Sequence, residues 1–299
     1  MKPAIHIGIS GWTYPPWRGG HFYPKKWVHK RELEYASRHV STIEINGSFY
    51  ALQKPASYRH WHDVTPEGFV FTVKGSRYIT HIRRLRDVAK PLANFFASGP
   101  LLLLREKLGP FLWQLPPSLK YDRALLEAFI KLLPRDTRAA VALARRHDSF
   151  LKGRASTPAT PNRPLRHALE VRHDSFKQRE FVELLRRHKI ALVVADTAGK
   201  WPLMEDVTSD FVYVRLHGDA ELYVSGYTPQ ALSKWSRKIR AWHRGTTPTG
   251  SSLHAPKPPA RKGGRDVFVY FDNDVKVHAP HDAMKLAHSL GVAPASADE

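Results

Sequence analysis

The chain has 299 residues, 42% of them hydrophobic, no cysteine, and a formal charge of +20. Length and apolar content suffice for one large domain or two smaller ones, and no apolar run approaches the roughly 20 residues that a membrane-spanning helix needs. The lack of cysteine rules out disulfides, iron–sulfur clusters, thiolate zinc sites and a thiol nucleophile, and fits a cytoplasmic location, while the charge favours a polyanionic partner: nucleic acid, an anionic membrane surface or an anionic, phosphate-bearing small molecule.

Short apolar runs recur along the chain, each followed by a helical pattern. Strands are predicted at 5–10, 42–46, 69–74, 111–115, 168–172, 191–196, 211–217 and 267–272. Helices are predicted at 30–39, 56–63, 87–96, 122–133, 176–188, 229–243 and 281–290, and the link 197–210 is too short for a full one. Strands alternating with helices imply a parallel sheet with right-handed crossovers. Eight of them in under 300 residues predict an α/β fold, a single (β/α)8 TIM barrel over 1–299. The competing doubly wound sheet would place a glycine-rich phosphate loop after the first strand, and none is present. The stretch 245–265 (GTTPTGSSLHAPKPPARKGGR) is poor in apolar residues and is expected to be a mobile insertion loop.

Strand parity carries the functional reading. Side chains alternate faces along a strand, and these strands alternate in polarity rather than reading as continuous apolar runs. Ile43 and Ile45 oppose Thr42, Glu44 and Asn46; Phe71 and Val73 oppose Thr72 and Lys74; Trp113 and Leu115 oppose Gln114. Leu169 and Val171 oppose Glu170 and Arg172; Val212, Val214 and Leu216 oppose Tyr213, Arg215 and His217; Val269 and Phe271 oppose Tyr270 and Asp272, with Asp274 in the same phase. The apolar set must meet the helices, so the polar set points into the barrel. Its charged members lie near the strand C-terminal ends, where barrel active sites sit.

Glu44, Lys74, Glu170, His217 and Asp272 are therefore the candidate catalytic residues, with the two glutamates as a possible acid–base pair or as counter-ions to the cations. Trp12, Tyr14, Asn46, Tyr50, Gln114, Arg172, Arg215 and Asp274 are the candidate substrate contacts, the arginines suiting a phosphate or carboxylate. Glu170, Asp196, His217 and Asp272 would make an oxygen and nitrogen set for a divalent metal, although no H-E-x-x-H motif accompanies them.

Seven segments of this sequence resemble the DUF72 (YecE-like) family. They are 7–24 (IGISGWTYPPWRGGHFYP), 43–52 (IEINGSFYAL), 65–85 (TPEGFVFTVKGSRYITHIRRL), 108–117 (LGPFLWQLPP), 168–176 (ALEVRHDSF), 211–218 (FVYVRLHG) and 268–274 (FVYFDND). The resemblance implies a barrel of the TIM class independently of parity, but no reaction. Charge, rim cations with carboxylates, and aromatics that could stack bases together lead to the expectation of a hydrolase or lyase on a phosphate-bearing substrate, nucleic acid included. The alternatives are a sugar or sugar-phosphate isomerase using Glu44 and Glu170, and a non-catalytic nucleic-acid-binding module.

Overall fold

Alternating strands rich in β-branched and aromatic residues close into a barrel in the computed structural model of the chain, which describes residues 2–104, 106–159 and 161–295. The strands are β1 (Ile5–Ser10), β2 (Thr42–Ile45), β3 (Val70–Lys74), β4 (Leu108–Gln114), β5 (His167–Glu170), β6 (Ala191–Asp196), β7 (Phe211–Leu216) and β8 (Asp266–Phe271). All neighbours pair in parallel, in chain order, and β8 closes on β1. Residue 1 and residues 296–299 of the expected domain lie outside the described residues.

The helices are α1 (Glu32–Ser37), α2 (Gly47–Tyr50), α3 (Pro55–Val64), α4 (Ala89–Ala97), α5 (Arg123–Leu132), α6 (Thr137–Ala144), α7 (Arg179–Arg187), α8 (Pro229–His243) and α9 (His278–Leu290). Two of them, α2 and α6, were not predicted. The first is a single turn, and the second is capped by Asp136, whose side chain accepts from the Ala139 amide. α9 starts one turn earlier than expected, because Pro280 falls in its first turn, where a missing N–H leaves no bond unmade. No described helix is long and apolar enough to cross a membrane.

Parity decides the two sides of the barrel wall. Ile7, Ile9, Ile43, Ile45, Phe71, Val73, Trp113, Val212, Val214 and Val269 pack outward in the main core against the helices. A second, smaller cluster fills the barrel interior with Leu112, Ala168, Val193, Phe211, Tyr213, Phe268 and Tyr270. The interior grades along the barrel axis. Near the strand N-termini the His6 ring stacks on Phe268 at 4.7 Å. Midway, the Tyr270 hydroxyl lies 2.9 Å from the Thr42 hydroxyl and 2.6 Å from that of Thr72. The C-terminal end is ionic.

One inner-set residue is corrected. β6 reads ALVVAD, with no polar alternation to fix its phase. Ala191, Val193 and Ala195 take the interior, so Asp196 falls on the outer face and accepts a hydrogen bond from Tyr227 Oη at 3.1 Å. The 245–265 stretch holds no helix or strand, but it is not a free tether. Glu205 Oε2 accepts from the Ser252 amide at 2.8 Å, the Asp206 carboxylate accepts from the amides of His254 and Ala255 at 3.0 Å, and Ala255 is buried.

Candidate active site

Strand ends and the turns beyond them supply the site. Lys74 closes β3, and the next residue, Gly75, has no room for a side chain: a Cβ there would lie 2.3 Å from the Trp113 ring. Ser48 Oγ in α2 donates to the Lys74 carbonyl at 2.6 Å, which fixes the backbone that aims the ammonium. A π-helical turn at Tyr78–Ile82 brings in His81. Gly11, just past β1 with φ of +83°, lets the Tyr14 hydroxyl fold back to donate to the Ser10 carbonyl at 2.5 Å.

At the floor lies Arg215, fully buried and enclosed by acids. Its Nε and Nη2 donate to the two Glu44 oxygens at 3.1 and 2.9 Å, Nη1 donates to Glu170 Oε2 at 2.8 Å, and Nη2 reaches Asp272 Oδ2 at 2.8 Å. The acids have further donors. Glu44 accepts from Ser10 Oγ at 3.0 Å and Tyr213 Oη at 2.6 Å. Glu170 accepts from Gln114 Nε2 at 2.9 Å and from Arg172 Nε at 2.7 Å. His217 Nδ1 stands 3.0 Å from Asp272 Oδ2. Burial alone would raise the Glu170 carboxyl, but Arg172 and Arg215 outweigh it and hold it well below the ordinary range. Burial opposes ionisation of Asp272 in the same way, and Arg215 and His217 hold it down. The imidazole of His217 is lowered, first by burial and then by Arg215.

Above this floor opens a cavity of about 760 Å³, lined by Tyr14, Asn46, Phe49, Tyr50, Lys74, Arg77, His81, Gln114, Arg172, Tyr223, Asp272 and Asp274. Two groups in it are shifted away from their ordinary charged forms. The Asp274 carboxyl is raised well above its ordinary value by burial and by the charge of Asp272, and its Oδ1 is buried without a hydrogen-bond partner. Lys74 is 7% exposed and lies 4.5 Å from the Phe49 ring centroid, with no carboxylate within salt-bridge distance among the described residues. Burial, and then the charge of Arg215, lower its ammonium to about 8. His81, lowered to about 4 by burial and by Arg172 and Lys74, is a neutral imidazole at pH 7. Arg172 stacks over Trp201 at 3.7 Å, and its Nη2 donates to Tyr223 Oη at 3.3 Å.

Of the sequence-derived candidates, Lys74 and Asp272 line the cavity together with Tyr14, Asn46, Tyr50, Gln114, Arg172 and Asp274. Glu44, Glu170, Arg215 and His217 form the buried layer beneath it. Trp12 is not at the cavity; it packs edge-on against Trp61, 5.3 Å away, outside the barrel mouth. The proposed metal set does not assemble. Asp196 faces outward, Arg215 fills the space between the carboxylates, and no three described His, Asp or Glu residues converge on a metal position. Arg77, His81, Tyr223 and Trp201 were missed. They lie on turns after strands, where parity gives no signal.

A family model described as a protein of unknown function, DUF72, matches residues 6–299. UPF0759 protein YecE of Escherichia coli K12 is 27% identical over 256 residues, covering 84% of this chain and 86% of that protein. UPF0759 protein YunF of Bacillus subtilis is 33% identical over 119 residues, 38% of this chain and 40% of YunF. A DUF72 family protein of Thermotoga maritima superposes with a TM-score of 0.69 at 23% identity, covering 96% of this chain and 99% of its own. One from Enterococcus faecalis gives 0.66 at 16% identity, covering 97% and 98%. At these identities the structural likeness speaks for the fold alone.

Proposed function

The chain belongs to the DUF72 family of proteins of unknown function, and from that premise we propose a hydrolase or lyase acting on a small phosphate-bearing substrate, with Asp274 as general acid and Lys74 as general base. The carrying observation is a pair in one cavity shifted in opposite senses: a carboxyl that burial and Asp272 push toward its protonated form, and an amine whose proton leaves near pH 8. Titratable groups whose environments push them to opposite assignments mark the acid and the base. The substrate anion would sit beside Arg77 and Arg172, leaving the Lys74 amine free to take a proton, because the Arg215 donors are already spent on three carboxylates. For the same reason Glu44 and Glu170 act as positioning residues, and an isomerase working through them is disfavoured. Each of their oxygens already accepts from a donor on the barrel wall. Tyr50, 70% exposed at the rim, favours a second reading in which the phosphate belongs to a single-stranded nucleic acid with a base stacked there.

Turnover of phosphomonoesters, phosphorylated aldoses and single-stranded oligonucleotides by the parent, Asp274→Asn and Lys74→Met tests this reading. Either variant should lose roughly 10²–10⁴-fold in kcat, the usual worth of one general acid or base. The parent rate should climb toward pH 8 as Lys74 loses its proton. Full turnover by both variants on a substrate that the parent converts would overturn the assignment.

A further inference from the structure

The opposite mouth of the barrel holds a second cavity, of about 1010 Å³, at the N-terminal ends of β5–β8. Its lining includes Arg135, Arg186, Arg187, Lys189, Arg261 and Arg265. The acid of that lining is Asp210, and it is engaged by Arg166, which also pairs with Asp266. Among the described residues none of these six cations has a carboxylate within salt-bridge distance, although Asp206 and Glu183 act on Arg186, and Asp210 on Arg265, from further away.

Arg265 is the decisive residue. It is 5% exposed, and its Nε and Nη1 are buried without a hydrogen-bond partner. Arg186 repeats the pattern: Nε donates to the Val207 carbonyl at 3.2 Å, while Nη2 is buried and unpartnered. Arg135 makes one long bond, 3.5 Å to the Ile130 carbonyl. Burial disfavours the charge on all three, and the neighbouring Arg261 adds to this at Arg265. A guanidinium stays charged at any ordinary pH, so desolvating it costs stability unless an anion nearby offsets the charge.

We propose that this N-terminal cavity is a binding site for a small polyphosphate, attracted by the uncompensated guanidinium charges of Arg265 and Arg186 in its wall and contacted by Arg187, Lys189 and Arg261 at its rim. Paired N–H groups on guanidinium match phosphate oxygens two at a time, and the spread of cations across the cavity calls for more than one phosphate. Recession argues for a small ligand. A nucleic-acid backbone meets side chains that project from a surface, whereas the Arg265 fork lies below it. The site is independent of the acid–base reading at the other mouth, and nothing in it requires turnover. The unpaired charges are a stability cost kept at a functional position.

Calorimetry with sodium tripolyphosphate, at an ionic strength of about 0.15 M held constant with sodium chloride, tests the proposal. One Arg265-dependent site per chain is expected, weakened roughly tenfold or more by Arg265→Met and by a smaller factor in Arg186→Met, and distinct from any weaker binding at the other mouth that Arg172→Ala removes. Arg31→Ala, in an exposed surface pair outside both mouths, should leave this affinity unchanged. Unliganded Arg265→Met should melt at or above the parent temperature, so its lost binding is not lost folding. Tripolyphosphate that binds no better than sulfate at equal ionic strength would overturn the proposal, and so would Arg265→Met and Arg186→Met variants with parental affinity. An unphosphorylated single-stranded oligonucleotide is the second arm. Arg265-dependent binding of the oligonucleotide without binding of tripolyphosphate would assign the cavity to a nucleic-acid backbone and overturn the small-ligand proposal.

Discussion

Arg215 and Lys74 are two buried cations on inner strand faces with opposite surroundings. Arg215 meets Glu44, Glu170 and Asp272, so its desolvation is offset by charge-assisted hydrogen bonds. Lys74 has the Phe49 ring and the cavity. The folded protein therefore releases the Lys74 proton near pH 8, whereas the unfolded chain holds it to about 10.5. Between those values the unfolded state binds more protons, so stability rises with pH, by roughly 3 kcal/mol across the window. Lys74→Met removes the penalty. At pH 7 it should unfold at higher denaturant concentration than the parent, and the gap should close between pH 8 and 10.5. A variant less stable at pH 7, or a gap indifferent to pH, would mean that the ammonium has a partner in solution. Parity made these residues legible because β2, β3, β5, β7 and β8 alternate in polarity. It could not say which carboxylates Arg215 would consume, since that depends on how the strands stagger once the barrel closes. Nor could it place Asp196, because an all-apolar run has no readable phase.

Elements were legible where a period was long enough to show. α8, fifteen residues with Thr228 capping the Ala231 amide and Pro229 at its first position, matches its predicted bounds. α6, eight residues of which half are alanine, presents too weak a stripe to separate from the loop beside it. Composition misled at 245–265 for a different reason. The stretch buries little apolar surface, but it is held by carboxylates that lie far away in the sequence, in the helix-free link after β6. Those acids, Glu205 and Asp206, are buried and accept backbone amides of residues 252, 254 and 255. Asp206→Ala should cost about 1–3 kcal/mol, the penalty of leaving buried amides unsatisfied. In native-state hydrogen exchange, the His254 and Ala255 amides should be protected in the parent and exchange freely in the variant. Fast exchange of both in the parent would return the whole stretch to the status of a tether.

The whole molecule carries +20, and composition says nothing about where that charge goes. Arg135, Arg186 and Arg265 come from three separate inter-strand links and meet only because β5 to β8 are neighbours in a closed ring. The C-terminal mouth, by contrast, pairs Arg172 and Arg215 with carboxylates. Surface pairs such as Arg123–Glu180 at 2.6 Å and Arg31–Glu34 at 2.7 Å exist, but exposed pairs are worth only about 0–1 kcal/mol each. Repulsion among the unpaired cations should therefore dominate the salt response. At about 0.01 M ionic strength the screening length is about 30 Å, comparable to the molecule, and at about 0.1 M it shrinks to about 10 Å. Melting temperature should accordingly rise by a few degrees over that range in sodium chloride, because screening relieves the folded state more than the expanded one. Sulfate at matched ionic strength should raise it further, since an oxyanion can also occupy the arginine cavity, and that extra increment should shrink in Arg265→Met. A melting temperature that falls as chloride is added would mean that attractive surface pairs, not cation repulsion, govern the electrostatics of this barrel.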